Sequence, residues 1–97
     1  MGMSSEKRDF PLGSLVIVKR GRHAGSVFAV VGICSEQNRD RILIADGIRV
    51  SADKPKRKNP RHVTAAGAVS SDVAERLAGG RKIDDGWLAE VISRLEN

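Results

Sequence analysis

The chain alternates short apolar runs with polar, glycine-marked breaks over its first two thirds, then switches to helical spacing. Ser14–Lys19 (SLVIVK) is β-branched and apolar and predicts a strand. Ser26–Cys34 (SVFAVVGIC) predicts a second, longer one, and Gly32 inside it marks a bulge or bend. Arg41–Ala45 (RILIA) follows the polar turn Ser35–Asp40 as a third strand. Asp46-Gly47 has the chemistry of a two-residue hairpin turn, so Ile48–Val50 is expected to return as a fourth. Asp53–His62 (DKPKRKNPRH), with two prolines and five basic residues, reads as an extended surface loop. His62–Thr64 follows as a short closing strand. Short strands separated by turn signals predict a small, mostly β barrel, in which closure removes exposed sheet edges.

After residue 65 the period changes. Ser71 or Asp72 is placed to cap a helix, with Glu75 answering Asp72, and Gly79-Gly80 ends it. A second helix begins at Asp84 or Asp85, with Ile83 and Leu88 spaced as a hydrophobic staple. Trp87, Leu88, Val91, Ile92 and Leu95 form one apolar stripe that must pack on the barrel or on a partner. The expected organisation is a disordered tail over 1–9, a barrel over 10–65 and a helical extension over 66–97.

Composition narrows the function. With 97 residues there is little room for both a barrel and a deep catalytic cleft. The net charge of +5 is unevenly placed. Residues 1–64 hold 13 Lys/Arg against 6 Asp/Glu, a net +7, whereas residues 65–97 hold 4 against 6, a net −2. A positive field over the strand-rich part favours polyanions, with ordinary solubilising charge as the bland alternative. Phe10, Phe28 and Trp87 are the only aromatics, too few for a base-stacking platform. Cys34 is the single cysteine and ends an apolar run, so it is expected in the core, and no disulfide can form within one chain. The polar N-terminus has no signal-peptide core, and no apolar run approaches the length of a membrane span. The expected location is the cytoplasm.

Nothing in the sequence calls for catalysis or a cofactor. His23 and His62 are far apart and have no metal-ligand spacing with Cys34. Asp84-Asp85 precedes an apolar helix and reads as a cap, not an acid–base pair. The Gly21…Gly25 spacing lacks the lysine-hydroxyl ending of a nucleotide-binding loop. Two basic segments remain. Lys19, Arg20, Gly21, Arg22 and Gly25 lie around the first inter-strand loop, where glycines let the backbone turn tightly and approach a phosphate. Lys54, Lys56, Arg57, Lys58 and Arg61 lie in the proline-stiffened run. Both could sit on one side of a barrel, gripping RNA phosphates with little sequence readout.

Gly21–Val31 (GRHAGSVFAVV) resembles the KOW motif, a loop with a fixed glycine followed by an apolar strand. Over residues 12–64, LGSLVIVKRGRHAGSVFAVVGI, RILIADGIRV and KPKRKNPRHV are similar to short bacterial KOW-domain proteins. These are related to the eukaryotic-type large-subunit ribosomal protein family fourteen-e. The resemblance implies an SH3-like barrel and binding of structured RNA, plausibly ribosomal, in or near the ribosome. Gly25 would be the motif glycine, Gly21-Arg22 the loop tip, and Lys54–Lys58 with His62 the following basic segment. Relatives often carry an acidic residue and a lysine before the second glycine, where this chain has His23-Ala24. That departure moves binding charge toward Lys54–Arg61. The resemblance also permits an adaptor that contacts ribosomal proteins or other parts of the translation or transcription machinery through the C-terminal helices. Neither reading involves a membrane or a small-molecule substrate.

Overall fold

A computed structural model describes residues 10–36 and 39–96. The expected tail over 1–9 and the centre of the Ser35–Asp40 turn lie outside those residues. The chain forms β1 (Ser14–Val18), β2 (Val27–Glu36), β3 (Arg39–Ala45), β4 (Lys56–Lys58) and β5 (Val63–Val69), followed by α1 (Ser71–Ala78) and α2 (Asp85–Glu96). All pairings are antiparallel, in the order β4-β3-β2-β1-β5.

The continuous apolar character of β1 has a physical reason: both faces of the sheet are covered. Val16 and Val18 face one cluster with Phe28, Val30, Ile42, Ile44 and Val63. Leu15, on the alternate face, joins Ala29 and Ala45 beneath Val73, Ile83, Leu88, Val91 and Ile92 of the helical segment. The apolar stripe of α2 therefore packs on the sheet through Trp87, Leu88, Val91 and Ile92, whereas Leu95 at its end stays exposed. Asp84 Oδ2 accepts the Trp87 N–H at 3.0 Å as the expected cap, and the staple pair Ile83 and Leu88 is buried in the same cluster.

The sheet is open by its hydrogen-bonded order, yet it curls. Edges of a flat five-stranded sheet lie about 19 Å apart. Only residues 59–62, three of them in a tight 3-10 turn (Pro60–His62), join the edge strands β4 and β5. At a rise of about 2 Å per residue that turn cannot span a flat sheet. The shared cluster of Ile42 from β3 and Val63 from β5 has the same cause. The pairing register shifts between Val30 and Gly32, the expected bulge.

Five expectations need correction. Ile48–Val50 is not a strand. The Asp46 carboxylate accepts the backbone N–H groups of Ile48, Arg49 and Val50 at 2.9, 2.8 and 3.0 Å, so the side chain takes the donors a ladder would need. Gly47 adopts φ +79°, and a Cβ there would overlap the Asp85 carbonyl oxygen. The returning strand is β4, inside the run expected to be loop. The closing strand is seven residues long and extends to Val69, beyond the expected barrel limit at 65; its Ala- and Gly-rich middle, residues 65–68, carries no β signal. The α1 cap is Ser70, whose Oγ accepts the Val73 N–H at 3.1 Å, not Ser71 or Asp72. Cys34 is only half-buried, beside Ile33 at 57% exposure, because the far end of the β2–β3 hairpin runs past the core. No helix among the described residues is long and apolar enough to cross a membrane.

Candidate nucleic-acid interface

The loop between β1 and β2 is tightly folded. Its base is closed by Gly25 N–H to the Val18 carbonyl (2.7 Å) and Val18 N–H to the Ser26 carbonyl (3.0 Å). Within it, Ala24 N–H donates to the Gly21 carbonyl at 3.2 Å and Ser26 N–H to the His23 carbonyl at 3.0 Å. The His23 ring packs against Phe28, with centroids 5.6 Å apart. His23 is thus a packing residue of the loop, and Arg20, Gly21, Arg22, Ala24 and Gly25 face solvent.

Two contacts join this loop to the second basic segment. Lys58 Nζ donates to the Arg20 carbonyl at 3.0 Å. Lys19 N–H donates to the His62 carbonyl at 2.7 Å. The 3-10 turn is itself fixed: Asn59 Oδ1 accepts the Arg61 N–H at 2.9 Å, and the Asn59 carbonyl accepts the His62 N–H at 2.9 Å. Lys19, Arg20, Arg61 and His62 line a cleft of about 400 Å³ there.

The predicted residues divide accordingly. Lys19, Arg20, Gly21, Lys58 and Arg61 are brought together. Lys56 shares a strand face with Lys58, since they pair with Ile44 and Ile42; Arg57 pairs with Leu43 and faces the other way. Lys54 ends a turn closed on the Ser51 carbonyl, beside the Asp53–Lys82 ion pair. Gly25 lines a separate groove with Asp46, Ile48, Arg49 and α2. His62, which the resemblance puts with the second basic segment but which is not among the candidate phosphate contacts, lines the cleft; its signal is Asn59-Pro60, a cap followed by proline that turns the chain back toward β1.

Five acidic side chains among the described residues are engaged elsewhere. Asp40 accepts the Ser35 hydroxyl, Asp46 pairs with Arg49, Asp53 with Lys82 and Glu90 with Arg94. Asp85 Oδ1 accepts the Ala52 N–H at 2.8 Å. The carboxyl of Asp46 is pushed up by burial, but the N–H groups of Val50, Ile48 and Arg49 and the Arg49 guanidinium outweigh this and hold it below 3.8. Among the described residues no acidic side chain joins Lys19, Arg20, Arg61 and His62 in lining the cleft. A second groove holds Trp87 under the Arg76 guanidinium, 4.0 Å from the ring centroid, with Asp72, Glu75 and Arg81 alongside; its charge is mixed. No group of three or more His, Cys, Asp or Glu side chains among the described residues could hold a metal ion. No family model matches the chain, and no curated protein matches it.

Proposed function

We propose that this protein is a non-catalytic RNA-binding module with an SH3-like KOW barrel, acting in the cytoplasm in or near the ribosome, with ribosomal proteins as neighbours. One observation carries the reading: the Lys58–Arg20 and Lys19–His62 contacts join two basic segments, separate in sequence, into one surface whose cleft has no acidic lining residue among the described residues. Charge gathered on a rigid frame attracts a polyanion and loses little order on binding it. Contacts of this type grip phosphates and carry little sequence information, so structured RNA is recognised by where its phosphates lie. The adaptor reading has less to stand on, because the α2 stripe it would use is spent on the sheet.

Fluorescence anisotropy with a labelled ribosomal RNA hairpin tests the proposal. Lys56→Glu, Arg57→Glu and Lys58→Glu together abolish binding while the chain stays folded. Unaltered binding by the folded triple variant rejects the site.

A further inference from the structure

We infer that the cleft between the β1–β2 loop and the Pro60–His62 turn is a socket for a single internal phosphodiester of RNA, with Arg61 and His62 donating beside Lys19 and Arg20. This rests on the RNA reading above and adds a defined ligand group and a contact role for His62, which is not among the candidate phosphate contacts.

Every side chain lining the cleft among the described residues is a cation or an imidazole. Guanidinium groups offer paired donors that match two phosphate oxygens, whereas the lysine supplies a point charge. The frame is fixed before any ligand arrives. Asn59 caps the turn, Pro60 limits its backbone, and the Lys19–His62 bond sets the spacing between the two walls. The carbonyls of two cleft-lining residues, Arg20 and His62, already accept hydrogen bonds from Lys58 Nζ and Lys19 N–H. Acceptors that would repel an oxyanion are thus partly neutralised. The cleft is open-sided, which suits a chain passing through more than a terminal group.

The two histidines make the test internal to the protein, because His23 packs on Phe28 and does not line this cleft. Imidazole resonances of the full chain are followed by NMR during titration with a short RNA hairpin carrying either a 5′-hydroxyl or a 5′-phosphate, and separately with inorganic phosphate. His62 is expected to shift saturably with both RNA forms alike, and His23 to stay in place. Arg61→Ala, at an exposed position, and Arg61→Ala with His62→Ala should lower the log–log salt slope of RNA binding by about 0.7–0.9, one phosphate's share. Their unfolding midpoints should stay near wild type. A shift only with the 5′-phosphate form overturns the internal-phosphodiester assignment. RNA binding with His62 unmoved and the variants at full affinity and slope overturns the socket and leaves the RNA reading standing. A saturable His62 shift with inorganic phosphate, but no RNA binding, supports a phosphate site and overturns the RNA reading. No shift with either probe overturns the socket.

Discussion

The ammonium of Lys58 donates to the carbonyl of Arg20 at 3.0 Å, across 38 residues of sequence. Lys58 sits on an edge strand and Arg20 just past β1, three strands away in the pairing order, so this bond exists only because the sheet curls. It ties the shape of the fold to the position of the charge.

Gly21 lies under that bond, with φ +100°, and a Cβ there would meet Lys58 Nζ at 3.0 Å. Gly25 has φ +89° and open space around it. Gly21→Ala and Gly25→Ala should each cost about 1–2 kcal/mol from backbone strain. Only Gly21→Ala should also weaken RNA binding, because it displaces Lys58. Equal RNA affinity for the two variants, measured by anisotropy, would contradict the role given to the Lys58–Arg20 contact.

Asp46 makes stability depend on acid. Its folded value lies below its ordinary 3.8, so its contribution is fully present above that value. It is lost as pH falls through the lower, folded value. Asp46→Asn should lower stability by roughly 1–3 kcal/mol at pH 7, through loss of a charged acceptor. The gap between variant and wild type in urea unfolding should narrow below about pH 4. A gap of constant size from pH 7 to pH 3 would show that the charge is not what holds the 46–50 loop.

The C-terminal helices are part of the core. Leu88 is fully buried against Leu15, Ala29 and Ala45, so Leu88→Ala should cost about 2–5 kcal/mol. Ending the chain at residue 69 uncovers that face and should abolish cooperative thermal unfolding. A truncated chain that melts cooperatively near the wild-type midpoint would return the helices to the role of a partner device.

Much of the strand pattern was legible because β-branched runs at β1, β2 and β3 are strong local signals. The failures have separate local causes. Asp46-Gly47 reads as a hairpin turn, but a buried carboxylate with three N–H donors makes a closed loop instead. Lys56–Lys58 reads as loop because its flanking prolines and charge hide an edge strand, where lysine guards against unwanted pairing. β5 is written in alanine, glycine and threonine between its terminal valines, and its pairing with β1 is a tertiary fact. The basic residues of the candidate site were visible one by one. Their meeting was not, because it depends on the curl of the sheet and on a 3-10 turn that reaches back to Lys19.

The central claim is that one joined basic surface grips RNA phosphates, and the salt dependence of RNA binding tests it most directly. With about five phosphates engaged, the logarithm of the association constant should fall against the logarithm of salt with a slope of roughly −3 to −5. Binding that persists with a slope near zero would contradict it.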